Sequence, residues 1–355
     1  MEINDDQLLQ FSSNAHTSEM VESCNEKHDN FSEDRCVRLS GGQCQRIAIL
    51  GATSQIAKDL ILLFAAQNTY ELVLFARRPE AVAQWLANAG LTGRYEVADF
   101  SAFDMDAHFD VIINFVGVGD PLKAESLGAA IVYVTLQFDE LALSYVRKHP
   151  SCRYIFLSSG AAYGASFDAP VDANTKAVID INHLQQQDWY AVAKLHAECR
   201  HRTLAHLPIV DIRIFNYFSH TQDMEAHFLI TDISRAIRNK DVLKTSTESI
   251  MRDFISPDDF RNLVNAILTS KACNAVVDCY TKAPIDKATL LATLQAQFGL
   301  RYEFVQSLDA VNATGIKPYY YSLNRRAGDF GYEPNGTSLE NILHELKAGG
   351  FEHKV

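Results

Sequence analysis

From residue 45 onward short apolar runs alternate with amphipathic stretches, the pattern of β–α–β units wrapped around a parallel sheet. The run 47–50 predicts a first strand and 55–68 a first helix. A second strand follows at 71–75 and a second helix at 80–88. Further strands are predicted at 95–98, 110–115 and 153–158, with a long helix over 129–148. A helix over 187–207 leads into a strand at 209–214. After about residue 216 the alternation loosens. Helices at 230–239, 258–269, 287–298 and 338–347 are joined by long polar connections, which predicts a smaller part covering a substrate. Residues 1–44 are rich in Ser, Asn, Asp and Glu and keep neither a period of 2 nor one of 3.6, so a flexible acidic extension is expected there.

At 355 residues the chain can build one large α/β domain or two smaller ones. Its 47% hydrophobic and 21% charged residues are those of an ordinary soluble protein. A net charge of −12 argues against nucleic acid or an anionic membrane as partner, while allowing a local basic pocket. The start, Met1-Glu-Ile-Asn-Asp-Asp6, is acidic where a signal peptide is basic and then apolar. No run reaches the roughly 18 to 20 apolar residues of a membrane helix. A cytoplasmic protein is expected. The seven cysteines are odd in number and form no Cys-x-x-Cys pair, which fits a reducing compartment better than a disulfide framework. His196, Cys199 and His201 crowd one segment, but on a helix only His196 and Cys199 share a face, so no metal site is expected.

One motif misleads. Leu39-Ser-Gly-Gly-Gln43 matches the signature loop of ABC-transporter ATPases. That loop works only with an upstream Gly-x-x-x-x-Gly-Lys-Ser/Thr, which this chain lacks, and a helix should follow it. Here Arg46-Ile-Ala-Ile-Leu-Gly51 is short, β-branched and stopped by glycine, so a strand is expected.

That strand opens the candidate cofactor site. A glycine ending it lets the chain turn tightly and brings backbone N–H groups and a helix N-terminus to a diphosphate. Where a Gly-x-x-Gly-x-x-Gly variant has three glycines, this chain has Gly51, Ser54 and Ala57. Thr53, Ser54, Gln55 and Ile56 complete the turn. The next strand ends in Ala76-Arg77-Arg78, where an NAD-binding protein carries a carboxylate for the ribose 2′-hydroxyl. Arg77, with Arg78 secondary, offers a fork for a 2′-phosphate instead, which favours NADP(H) over NAD(H). Further on, Tyr190 and Lys194 stand four apart on one helix face. An ammonium beside a phenol is expected to lower the tyrosine's pKa. Ser159, at the end of Arg153-Tyr-Ile-Phe-Leu-Ser-Ser159, supplies a hydroxyl to hold a substrate oxygen while the tyrosine moves its proton.

With these pieces assembled, the chain resembles the extended short-chain dehydrogenase/reductase family, in its branch of nucleotide-sugar epimerases, dehydratases and ketoreductases. The resemblance runs from about Arg46 to near the C-terminus. Asp99-Phe100 looks like the adenine-contacting pair, and Asn114-Phe-Val-Gly117 like the segment under the cofactor, which implies contacts from Phe115, Val116 and Gly117. Arg213-Ile-Phe-Asn216 and Arg252-Asp-Phe-Ile255 look like the segments whose Asn216 and Arg252 bind the substrate diphosphate, with Phe215 on the cofactor. Phe330-Gly-Tyr-Glu-Pro334 looks like the closing segment. The resemblance implies a Rossmann-type doubly wound parallel sheet, with 45–216 binding NADP and 217–355 mainly binding substrate and interleaved with it. It also implies a homodimer. Gly160 and Ala161 stand where 4,6-dehydratases carry Asp-Glu, which argues against dehydration. The expected activity is NADPH-dependent 4-keto reduction of a nucleotide-diphosphate sugar, with Tyr190 as acid/base. The alternatives are a 4-epimerase that retains its cofactor and a non-catalytic NADP-sensing or scaffold protein.

Overall fold

Seven parallel strands form the central sheet of the computed structural model, which describes residues 44–118, 124, 126–164, 167–226, 228–305 and 317–352. The extension expected over 1–44 lies, but for Cys44, outside the described residues, as does the Leu39–Gln43 loop. The first six strands are β1 (Arg46–Leu50), β2 (Glu71–Phe75), β3 (Glu96–Ala98), β4 (Val111–Asn114), β5 (Arg153–Ser159) and β6 (Ile209–Ile214). From one edge the order is Ala275–Asp278, β6, β5, β4, β1, β2, β3. The direction reverses between β1 and β4, the point where such sheets open a crevice for a ligand.

Both faces of the sheet are covered, and β1 shows how. Ile47 and Ile49 point into a core with Leu60, Phe64 and Leu263, from the helices Gln55–Gln67 and Pro257–Thr269. Ala48 and Leu50 point into the opposite core with Ala142, Leu143 and Ala197, from the helices Ala130–Lys148 and Asp188–Thr203. Successive strand residues face opposite ways, so a strand buried on both sides reads as a continuous apolar run. A third core, around Ile233, Leu291, Leu294 and Ile342, joins the helices Leu229–Asn239, Lys287–Phe298 and Ser338–Ala348.

The differences from expectation are local. The helix carrying Tyr190 and Lys194 ends at Thr203, not 207, because Pro208 follows closely and disfavours helical backbone before it. The edge strand Ala275–Asp278 was not expected at all. It lies in the C-terminal third yet pairs with β6 from Val210 to Arg213, so the sheet is completed by residues beyond 216. At four residues it is too short to carry a period. The helix Pro257–Thr269 precedes it with Pro257 in its first turn and Ser256 as cap, whose hydroxyl accepts from Asp259 N at 3.2 Å.

Candidate active site

The turn after β1 is built for a close neighbour. Gly51 has φ +82°, and a Cβ there would lie 2.9 Å from the Val116 nitrogen, so only glycine fits against the segment that follows β4. Its N–H and that of Ala52 both donate to Phe75 O, at 2.9 and 3.0 Å. Ser54 begins the helix Gln55–Gln67 without capping it, which leaves its hydroxyl available to a ligand. Asn114, buried at the end of β4, accepts from Val116 N at 2.9 Å and fixes the segment Phe115–Gly117. Phe115 is buried, Val116 half-buried and Gly117 exposed. The loop therefore fits a dinucleotide diphosphate. Gln55 donates to Asp59 and Thr221, at 3.1 and 2.6 Å, so its amide is engaged within the fold, and Ile56 packs on the core. Thr53, Arg77 and Arg78 are exposed, and neither arginine makes an ion pair among the described residues. Asp99 is exposed, and its carboxylate accepts from the N–H and hydroxyl of Ser101, which holds it below the usual carboxylate range.

β5 delivers Ser159 to the same end of the sheet. Its hydroxyl accepts from Ala161 N at 3.1 Å and hydrogen-bonds Tyr190. Lys194 is buried, with Nζ donating to Leu157 O at 2.7 Å and lying 5.8 Å from the Tyr190 ring centroid. A Cβ on Gly117 would sit 3.4 Å from that ammonium, so Lys194 reaches toward the segment fixed by Asn114. Ser159, Tyr190 and Lys194 are thus brought together as the spacing suggested. One expectation needs correction. The Tyr190 phenol is pushed up by burial, and the Ser159 hydrogen bond offsets this only in part. One of the three donors of the Lys194 ammonium goes to Leu157 O. Burial in turn brings Lys194 down to about 8, against the attraction of Glu198, Asp139 and Asp211.

The substrate side is aromatic and cationic. Phe215 lies beneath Gly160, where any Cβ would fall inside its ring. Its neighbours are Tyr163, Phe167 and Tyr320, so it belongs to the cluster flanking Ser159. Asn216 donates to Asp253 O and Tyr320 O, both at 3.3 Å. Arg252 donates to the carbonyls of Met251 and Lys317, at 2.9 and 2.7 Å, and burial lowers its pKa to about 10. Two residues escaped the sequence reading. Tyr320 places its hydroxyl 3.2 Å from Ser159 Oγ, and Lys317 lies over the Tyr320 ring at 4.6 Å. Tyr320 is on the two-residue strand Tyr319–Tyr320 and Lys317 just precedes it, with no period to single them out. Among the described residues no group of His, Cys, Asp and Glu could hold a metal, and no helix is long and apolar enough to cross a membrane.

Solved structures share this arrangement of the chain. UDP-glucuronic acid 4-epimerase from Bacillus cereus, in complex with UDP-glucuronic acid and NAD, superposes with a TM-score of 0.66 at 16% identity, over 86% of this chain and 99% of that one. UDP-glucose 4-epimerase from Thermotoga maritima, with UDP-glucose, gives 0.69 at 15% identity, over 85% and 98%. dTDP-glucose 4,6-dehydratase from Bacillus anthracis, with NAD, gives 0.67 at 14% identity, over 85% and 96%. No curated protein matches the sequence. Residues 47–277 match the family described as the NAD dependent epimerase/dehydratase family, a span from the first strand to the last strand of the sheet, and the chain belongs to that family of enzymes.

Proposed function

We propose that this protein is an oxidoreductase acting at C4 of a nucleotide-diphosphate sugar, with net reduction of a 4-keto group by NADPH as its reaction. The observation that carries the reading is the convergence of Ser159, Tyr190 and Lys194 beside a glycine turn that fits a dinucleotide. A bound nicotinamide supplies the hydride for the carbonyl carbon. Tyr190 gives its phenolic proton to the carbonyl oxygen, and its raised pKa keeps it protonated until that oxygen gains charge. Ser159 hydrogen-bonds the same oxygen. Lys194 carries positive charge near neutral pH, and its reach toward Gly117 suits a hold on the nicotinamide ribose. Asn216 and Arg252 take the diphosphate, so binding energy far from C4 positions the reacting carbon.

NADP(H) over NAD(H) rests on Ala76, buried at the end of β2 with no carboxylate, and on the exposed Arg77 and Arg78. A second reading is a 4-epimerase with retained cofactor. It is favoured by two of the solved structures above, which are named as 4-epimerases, one of them in complex with NAD. Dehydration is disfavoured by Phe215, which fills the space an acid at position 160 would need. Partners of the protein are then a nucleotide sugar and, following the resemblance, a second copy of the chain.

Mass spectrometry of the purified protein separates these readings. A reductase should come without dinucleotide and oxidise added NADPH only when a 4-keto nucleotide sugar is present. A tightly held NAD and no net NADPH consumption would replace it with the epimerase. Neither activity, with no nucleotide sugar bound, would return the protein to a non-catalytic role.

A further inference from the structure

Three lysines are buried among the described residues, and they differ in what their ammonium groups hold. Lys194 donates to Leu157 O, and Lys287 to Ser246 O at 2.7 Å and Ser246 Oγ at 3.2 Å. Lys317 is only 7% exposed, and among the described residues its ammonium holds no oxygen. Its ammonium rests on two rings, Tyr320 at 4.6 Å and Phe167 at 5.4 Å. Asp188 attracts it from a distance but makes no ion pair with it, and Arg252 adds a like charge nearby. Resting on rings offsets part of the cost of removing an ammonium from water and leaves its hydrogen-bonding capacity unused. A cation held this way is poised for an anion that arrives from outside the fold.

Its place says which anion. Tyr320, the ring under Lys317, reaches Ser159 Oγ with its own hydroxyl, so Lys317 stands one side chain away from the reacting oxygen. Arg252 lies 6.0 Å from the same ring and, with Asn216, already serves the diphosphate in the reading above. We propose that Lys317 recognises a carboxylate on the pyranose ring, and that the preferred substrates are nucleoside diphosphate-linked acidic sugars. This rests on the proposed function and narrows it, since an acidic sugar brings the counter-charge that Lys317 lacks, whereas a neutral sugar leaves it unpaired.

The test is calorimetric binding of UDP, UDP-glucose and UDP-glucuronic acid, and of the thymidine equivalents, to the full chain and to Lys317→Met and Lys317→Arg. The native protein should bind the acidic sugar nucleotide more tightly than the neutral one. Lys317→Met should lose roughly 30-fold or more in affinity for the acid, as expected for removing one partner of a buried charge pair. The neutral sugar and UDP alone should change less than about threefold, and Lys317→Arg should restore the preference. The unliganded Met variant should melt no lower than the native protein, because it gives up an uncompensated charge. Equal binding of acid and neutral sugars by the native protein would overturn the inference. So would an equal loss for UDP, which would place Lys317 on the diphosphate, or a clear drop in melting temperature, which would make it structural. Absence of binding by every nucleotide sugar would instead overturn the proposed function.

Discussion

Two regions on either side of Ser159 bury charge in opposite ways. Beneath the helix Asp188–Thr203, the buried charges other than Lys194 pair with charges of opposite sign. His201 is fully buried between Asp211 and Asp139, at 2.6 and 2.7 Å. Arg200 and Arg202 close the outer side of those carboxylates, each at 2.6 Å. Next to them Arg213 pairs with Glu198, which also accepts from Ser158. On the substrate side Lys317 is buried and Arg252 half-buried, and among the described residues neither has a carboxylate in contact. A paired network fixes elements against one another, and breaking it leaves an orphaned charge. An unpaired set costs stability in the free protein and recovers it from what binds. The first kind of burial marks architecture, the second a site.

The comparison predicts that changes on the two sides fail differently. The largest effect should come from Tyr190→Phe, which keeps the ring packing and removes the proton. Turnover should fall by roughly 10²–10⁴-fold with melting temperature and KM nearly unchanged. Lys194→Ala should also weaken cofactor binding, and Ser159→Ala should be milder because Tyr190 remains. A Tyr190→Phe variant with native turnover would remove the mechanism. Asp139→Ala should do the reverse. By removing one partner each from His201, Arg200 and the Tyr154 hydroxyl it should cost about 3 kcal/mol in urea unfolding, with little effect on KM in the surviving folded fraction.

A pH scan sharpens the contrast. Burial pulls the His201 pKa down, but Asp211 and Asp139 outweigh it and hold it at about 9, above the ordinary 6.5. The folded pKa is the higher one, so the stability from His201 is complete below pH 6.5 and is lost as pH rises through about 9. Urea midpoints should fall over that window, and a flat profile would mean that His201 is held neutral. The smallest effect is expected at Arg77, which is exposed. Arg77→Ala should weaken NADPH by about 2 kcal/mol and leave NADH nearly unchanged, measured by fluorescence titration. Equal affinity of the native protein for both would remove the NADP preference.

Much of this was legible in the sequence, and the exceptions share a cause. β2 and β6 begin and end where their apolar runs do, and the helices around residues 230, 258, 287 and 338 appear within a residue of their expected ends. Long periodic segments declare themselves because burial imposes the period. Ser159, Tyr190 and Lys194 were legible because they ride on such segments. Tyr320, Lys317 and the strand Ala275–Asp278 were not. Tyr320 and Ala275–Asp278 sit on strands of two and four residues whose partners are more than forty positions away, such as Asp278 with Tyr163 at 2.9 Å and Tyr320 with Ser159 at 3.2 Å, and Lys317 lies just before Tyr319–Tyr320, outside any strand. Tyr190's raised pKa was missed for a related reason, since burial depends on what the rest of the chain packs above it.

The late arrival of Ala275–Asp278 has a consequence for how the molecule is made. During synthesis β6 offers an open edge for some sixty residues, until its neighbour leaves the ribosome. Over that interval Arg213 lacks Asp278, as does the hydroxyl of Tyr163. A fragment cut at residue 216 would keep that edge and those missing partners permanently, however complete its nucleotide-binding half looks on paper. The smallest expressible unit that buries its own sheet therefore ends beyond Asp278.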